Sequence, residues 1–406
     1  MFNEEKNKQI NTNSDFKNLR SDYFLQKLFN NMKQKRTLEI IKCNKQLQKR
    51  LKINIDNYKK FCQIYSSIEI ELKLADNKYG KFIDIPHEDM ECFYHIYFDN
   101  SKIETRSNYL GTNEKVNIIK IVIDYQVKSF NKLFNQCECI SSIFFKKFYR
   151  NNVKNMSCMF LNCTSLNELN ISNFNTNYVT NMRFMFDGCS SLKELNLSNF
   201  DTSNVTDMSY MFYKCSSLIK LNLSNFNTNN LTNMNCMFDS CASLKELNIS
   251  NFNTNNVTNM HSIFNECSSL KEINLSNFNT NEVTDMSYMF NKCSSLEELN
   301  ITNFNTINVT NMTHMFSGCS TLKELNISNF NINNVDDMSS IFNGCSSLIE
   351  LNLSNFIIKK NVDTNLIFYG CSSLKELNLS NSIINNKNII SLLYGCSDEL
   401  KKKFKI

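Results

Sequence analysis

The sequence has no tryptophan, one proline and only seven glycines among its 406 residues. So few chain-breaking residues argue against a turn-rich β-sandwich. No apolar run reaches the roughly eighteen residues of a membrane-spanning helix, so we expect no membrane span. The opening stretch MFNEEKNKQI lacks the apolar centre of a secretory signal. We therefore expect a cytoplasmic protein, with the cell surface as the alternative location.

Residues that commonly carry catalysis or metal binding are also scarce or badly spaced. The four histidines stand alone, without a second ligand at metal-binding spacing. No nucleophile elbow, phosphate-binding loop or dinucleotide-binding motif occurs. We therefore expect a protein that is not an enzyme and that uses no cofactor and binds no metal or nucleic acid.

Cysteine is abundant, with 17 residues, and its spacing reveals the organisation of the chain. Cys137 opens a series with a period of 26 residues, which a last cysteine, Cys396, closes one residue early. The regular members between them are Cys163, Cys189, Cys215, Cys241, Cys267, Cys293, Cys319, Cys345 and Cys371. This period predicts a solenoid. Since one cysteine per repeat forms a line and zinc needs four converging ligands, we expect buried free thiols.

Each repeat divides into a strand-like part and a helix-like part. In the unit LKELNLSNFDTSNVTDMSYMFYKCSS, Leu195 and Leu197 alternate with polar residues as in a short strand. The apolar positions from Val205 to Cys215 fit one face of a helix of about two to three turns. Thr206 or Asp207 is the candidate N-cap, and glycines such as Gly188 occupy a candidate left-handed C-terminal position. Stacked units would form a parallel sheet on one face and short helices on the other.

The unit LNLSNFDTSNVTDMSYMFYKCSSLIK resembles the repeat of BspA-like leucine-rich-repeat proteins over residues 127–396. It is also similar to the cysteine-containing leucine-rich repeat of F-box proteins, with Phe200 in place of the usual cysteine. The BspA-like resemblance implies a leucine-rich-repeat fold and protein–protein interaction, sometimes adhesion, without catalytic residues. The predicted fold class is therefore an α/β solenoid preceded by a small α+β region. We also expect Phe200 and its equivalents to stack from repeat to repeat.

Three regions follow from these patterns. Residues 1–60 are predicted to be helical and carry 15 Lys and Arg against 6 Asp and Glu, a net charge of +9. Within them, residues 20–52 resemble an F-box, which implies docking to ubiquitin-ligase subunits; the alternative is a helical cap. Residues 61–115 are predicted to be rich in strands. The repeat array is predicted over 116–406, with degenerate units to 162, regular units over 163–395 and a basic cap over 396–406.

Outward-facing strand positions are the predicted partner-binding surface. Lysine and glutamate rows could merely neutralise each other and keep the sheet face soluble, but breaks such as Ile219, Ile349 and Lys220 favour a contact surface. The candidate residues are Glu194, Asn196, Ile219, Lys220, Asn222, Glu246, Asn248, Glu272, Asn274, Glu298, Asn300 and Ile349. The predicted function is a non-enzymatic scaffold that binds another protein. The alternatives are a substrate adaptor of a ubiquitin ligase and a surface adhesin.

Overall fold

A computed structural model describes residues 21–31, 44–99, 101–359, 361–381, 383 and 389–405. The helices are α1 (Asp22–Asn31), α2 (Lys45–Arg50), α3 (Ile55–Tyr65), α4 (Ile389–Leu392) and α5 (Asp398–Lys403), with a 3-10 helix at Glu88–Phe93. The first six strands are β1 (Ile68–Leu74), β2 (Gly80–Lys81), β3 (Tyr94–Phe98), β4 (Tyr109–Leu110), β5 (Ile118–Ile123) and β6 (Ile140–Lys147). The later strands are β7 (Glu168–Asn170), β8 (Lys220–Asn222), β9 (Glu246–Asn248), β10 (Glu350–Leu353) and β11 (Glu376–Leu379).

The N-terminal region ends in a sheet that joins directly to the repeats. Its strand order is β3-β5-β1-β6-β7. The pairs up to β1–β6 are antiparallel, whereas β6 and β7 are parallel. The sequence predicted that the repeat array begins at residue 116, but Ile118, Ile121 and Ile123 lie on β5, which pairs antiparallel with both β1 and β3. The parallel stack of strands therefore begins at β6.

Consecutive repeats pair in parallel with a register of 26 residues. Leu221 lies opposite Leu247, and Leu351 lies opposite Leu377. The leucines and isoleucines of these strands point into the core, and the Glu and Asn residues beside them are exposed. The predicted short parallel strands are thus present in part, with three or four residues in each named strand from β7 to β11. The equivalent positions at 195–197, 273–275, 299–301 and 325–327 form no named strand.

The predicted layer of short helices is wrong: between residues 163 and 359 the structure contains turns and isolated bridges where those helices were expected. Tyr210 and Lys214 adopt left-handed φ values of 57° and 55°, which interrupt any right-handed helix. As a result, the backbone N–H of Phe212 donates to the carbonyl of Met237 in the next repeat at 2.9 Å. We call this side of the stack the turn layer. Its apolar residues are nevertheless buried, as predicted, because a sequence of turns and a helix can share the same apolar spacing.

Gly188 has its predicted left-handed conformation, whereas the predicted role of Asp207 as an N-cap is wrong. The Asp207 carboxylate accepts the backbone N–H of Ser209 at 2.9 Å, so it stabilises a turn and does not cap a helix. Gly188 has a φ of 71°, a left-handed conformation that glycine adopts without steric cost. Asn162 occupies the same position one repeat earlier, with a φ of 56°.

The continuous aromatic stack runs through a different column from the predicted one. In the Phe200 column, Phe174 and Phe200 stack at 6.1 Å, but from Phe200 to Phe330, all within the described ranges, no further pair stacks. Ten rings of the turn layer stack instead, with centroids 5.5–5.9 Å apart. They are Phe134, Phe160, Phe186, Phe212, Phe238, Phe264, Phe290, Phe316, Phe342 and Phe368. This phenylalanine stack forms the spine of the core.

Two inward polar columns tie neighbouring repeats together. The buried thiol of Cys267 lies 3.2 Å from the carbonyl of Phe238, and the other cysteines from Cys163 to Cys371 repeat this contact at 3.0–3.2 Å. The buried Thr254 hydroxyl donates to the carbonyl of Asn279 at 2.7 Å and accepts the backbone N–H of the same residue at 2.8 Å. Because buried polar groups are costly when unpaired, these bonds allow polar residues to lie inside the stack.

Helix α5 covers the C-terminal end of the stack. Its Leu400 is fully buried, and its N-cap Ser397 donates to the carbonyl of Leu374 at 2.7 Å. The Lys403 ammonium donates to the carbonyl of Lys375 at 3.2 Å. An exposed β edge is a template for unwanted pairing, and lysines beside such an edge discourage it. The basic residues predicted to cap the array therefore lie at its end.

Candidate functional site

All twelve predicted partner-binding residues are exposed on the strand side of the stack, which we call the sheet face. Ten of them line two adjoining cavities of about 670 Å³ and 680 Å³. A third cavity of about 490 Å³ continues along the same face as far as Asn326. Ile219 and Ile349 do not line these cavities, although each side chain is 44% exposed. The strands therefore place the candidates on one continuous surface.

The asparagine row of the sheet face has a structural role that the sequence interpretation missed. Asn196 accepts the backbone N–H of Ser198 at 3.0 Å through its side-chain oxygen. Asn222 and Asn274 make the same contact with the serine two residues later, at 3.1 and 3.0 Å. Such Asx turns satisfy a backbone donor where the strand ends. One side-chain oxygen of each of these asparagines is therefore engaged within its own repeat.

The lysine and glutamate rows neutralise each other only in part. Lys220 forms an ion pair with Glu246, and Lys271 pairs with Glu297 at 3.1 Å. Four glutamates at equivalent positions of successive repeats form no ion pair with any described residue: Glu272, Glu298, Glu324 and Glu350. Like charges directly opposite on paired strands are destabilising. This part of the sheet face therefore presents uncompensated negative charge.

The cysteine column is unsuited to nucleophilic chemistry. Burial raises the pKa of the thiols from Cys163 to Cys371 far above the ordinary value. The thiolate is the reactive form, so these groups stay protonated and inert at neutral pH. Within the described ranges the cysteines are all free, and no three of the His, Cys, Asp and Glu side chains there converge as a metal site.

Two buried carboxylates of the turn layer were not identified from the sequence. Asp187 is only 8% exposed, and burial raises the pKa of its carboxyl to about 6. The positive charge of Lys214 acts in the opposite direction and lowers this pKa. Burial also raises the pKa of Asp239, although Ser240 and Asn265 donate to its carboxylate at 2.8 Å. Both occupy a column that holds asparagine in several other repeats, so their burial became visible only in the folded stack.

Helix α1 and helix α2 lie within residues 20–52, which the sequence related to an F-box. Arg50 of α2 forms a 2.7 Å ion pair with Asp22 of α1, so these two helices are in contact. Residues 32–43, which include predicted apolar positions at Met32, Leu38, Ile40 and Ile41, lie outside the described residues. The F-box and capping interpretations both remain predictions.

No curated protein matches the chain. Among solved structures, a leucine-rich repeat protein from Bacteroides ovatus is similar, with 20% identity over 66% of this chain and 67% of that one and a TM-score of 0.44. A TLR13–ssRNA13 complex matches with 14% identity over 60% of this chain and 46% of that one, with a TM-score of 0.23. The chain thus spans less than half of that second protein.

No helix within the described ranges is both long and apolar enough to cross a bilayer.

One family model matches three overlapping stretches of the chain, at residues 128–247, 217–324 and 297–402. Together they cover most of the sequence and coincide with the stacked repeats. The chain therefore belongs to the family described as Mycoplasma protein of unknown function, DUF285, a family of BspA-like repeats.

Proposed function

We propose that the protein is a non-enzymatic scaffold that binds another protein through its sheet face. The observation that carries this proposal is the pair of exposed isoleucines, Ile219 and Ile349, in a column that otherwise holds charged residues from Lys193 to Lys375. An isolated exposed apolar residue is common on any surface. Here, however, each replaces a charged side chain on an open face whose neighbouring strands are polar.

Further support comes from the architecture of the sheet face. The stacked repeats place its exposed side chains at a regular period of 26 residues, and three adjoining cavities lie along the face. Interfaces commonly place a few apolar anchors within a polar surround. The inert thiols and the lack of a convergent acid–base group in the cysteine column favour binding over catalysis.

The test compares matched substitutions in the full-length chain. Ile219→Lys and Ile349→Lys install the residue found at the same column position in neighbouring repeats, so the fold should persist. Ile307→Asn is the control, because Ile307 is similarly exposed, at 47%, but lies on a loop edge where neighbouring repeats carry asparagine. We expect the double lysine variant to lose partners that the wild type and the control capture in quantitative affinity purification. Capture of the same partners by all three proteins would refute the assignment to the sheet face.

A further inference from the structure

The turn layer carries an uneven distribution of charge along the stack. Its first three coils, residues 127–137, 153–163 and 179–189, contain four cations: Lys128, Lys132, Lys154 and Arg183. The only carboxylate in these stretches is the buried Asp187. Two late coils, residues 335–345 and 361–371, contain three aspartates and no lysine or arginine. The N-terminal end of the turn layer is therefore basic, and these two late coils are acidic.

The four cations form an exposed surface, which we call the basic patch. All four side chains are exposed, and none forms an ion pair with a described residue. Cys158 lies between Lys132 and Arg183 in the stack; burial raises the pKa of its thiol, and the charges of Lys132 and Arg183 both act to lower it. Two cations from different coils therefore act on one point of the surface.

Arg183 is held in place by aromatic stacking. Its guanidinium carbon lies 4.6 Å from the ring centroid of Phe184 and 6.0 Å from that of Tyr210. The two rings stack on each other at 4.6 Å with an interplanar angle of 22°. No described residue accepts a hydrogen bond from the guanidinium. A stacked guanidinium keeps its N–H edge free to bind a planar anion with two parallel hydrogen bonds.

Position 183 is an exception within its own column. The equivalent residues in the adjacent repeats are Ser157 and Ser209, whose hydroxyls donate to side chains of the turn layer at 2.7–2.9 Å. The fold is therefore satisfied by serine at this position and does not require an arginine. Lys154 shares its column with Lys128 of the preceding coil, and threonine occupies that column in the following repeats from Thr180 to Thr310.

We propose that the basic patch binds an acidic peptide segment of a partner protein, with Arg183 as the bidentate carboxylate contact and the three lysines as supporting charges. This surface lies on the turn layer, away from the sheet face, so the proposal is independent of the proposed function. The basic N-terminal residues of the chain have the wrong sign of charge to occupy the patch themselves. A nucleic acid fits less well: Phe184 already packs against Tyr210 and Arg183, which leaves it poorly placed to stack on a base.

The experiment measures binding of the full-length chain to a fluorescent peptide of alternating Glu and Gly, by anisotropy at several salt concentrations. We expect binding that weakens with salt. The variant Arg183→Ser with Lys154→Thr carries residues already present in neighbouring repeats, and we expect it to bind about tenfold more weakly or worse. Arg183→Lys keeps the charge but loses the planar fork, and we expect an intermediate loss. Lys193→Ile, on the sheet face, is the control and should bind as the wild type does.

Unfolding curves of each variant establish that the stack is intact before binding is compared. Failure of the wild type to bind the acidic peptide would overturn the proposal, and so would equal binding by the Arg183→Ser, Lys154→Thr variant. A lysine–glycine peptide should not bind. Tighter binding of an oligo-uridine, with displacement of the acidic peptide, would show that the partner class is wrong.

Discussion

Truncation of a central ring in the phenylalanine stack should destabilise the protein more than truncation of an equally buried ring that does not stack. Phe264 is fully buried and stacks on Phe238 at 5.8 Å and on Phe290 at 5.6 Å. Phe278, in the next repeat unit, is 2% exposed, and no aromatic ring of the described residues stacks on it. The pair therefore separates loss of burial from loss of stacking.

Removal of either buried ring should cost about 3–5 kcal/mol of unfolding free energy, because both substitutions to alanine leave a cavity. Phe264→Ala also removes two stacked pairs, each worth about 0.5–1.5 kcal/mol beyond burial. We therefore expect Phe264→Ala to cost about 1–3 kcal/mol more than Phe278→Ala. Phe264→Leu should recover most of the burial but not the stacking. Phe368→Ala, at the end of the stack with only Phe342 as a stacked neighbour among described residues, should lose one pair.

Urea unfolding followed by circular dichroism measures these differences. Each repeat packs mainly against its two neighbours. A defect in a central repeat should therefore divide the stack into two weakly coupled halves, which would broaden the unfolding transition. A defect at Phe368 should leave a single transition with a smaller loss. If Phe264→Ala, Phe278→Ala and Phe368→Ala cost the same and all unfold in one sharp step, stacking does not couple the repeats and the reasoning is refuted.

Three further predictions concern ionisation, backbone conformation and redox state. Burial raises the pKa of Asp187 from 3.8 to about 6, so ionisation of this carboxyl lowers stability as pH rises from about 4 to about 6. Asp187→Asn should therefore add about 1 kcal/mol at pH 7.5 after solvent screening and nothing near pH 4, and equal melting shifts at both values would contradict this. Gly344→Ala should cost about 1–2 kcal/mol through its φ of 73° alone, whereas Gly188→Ala should cost more because its Cβ would lie 2.2 Å from the Asn162 side-chain oxygen; similar losses in denaturant titrations would show that Asn162 moves freely. Dithiothreitol should leave the melting temperature unchanged, since the described cysteines are free, and a drop of many degrees would reveal a disulfide.

The repeat period and the inward strand positions were predictable because they depend on burial alone. A residue every 26 positions that is apolar in nearly every unit must face a shared core, whatever connects the strands. Leu221 and Leu247, which pair in register, illustrate this. The site face followed from the same alternation, since residues beside buried leucines on a strand must face outward.

The turn layer was not predictable from apolar spacing. Met208, Met211 and Phe212 are buried both in a helix and in the turns that the structure contains. The turns differ from a helix in the backbone conformations of Tyr210 and Lys214. The apolar spacing does not indicate the left-handed φ values of these two residues. Glycine replaces Lys214 at the equivalent position of several repeats, and this indicated a left-handed conformation there. Such a glycine is, however, equally typical of the end of a helix.

The aromatic column was misjudged for a related reason. Stacking requires that equivalent rings project along the axis of the stack at a spacing close to their contact distance. The rings of Phe238 and Phe264 meet this condition, with an interplanar angle of 2°. The Phe200 column is as regular in sequence and also buried, yet its rings fill the core without sustained stacking. Periodicity fixes which residues recur but not the orientation of their rings.

Many of the polar residues that recur from repeat to repeat form hydrogen bonds that stabilise the stack. The thiol of Cys267, the hydroxyl of Thr254 and the amide oxygen of Asn196 each make a bond that connects or closes a coil, so a partner gains little from them. A residue that differs in type from its equivalents in the other repeats, and that the fold does not require, can contact a partner instead. Arg183 and Ile219 are departures of this kind, on opposite layers and with opposite chemistry. Because a uniform array would offer every partner the same surface at many registers, specific recognition in a repeat protein must depend on these departures.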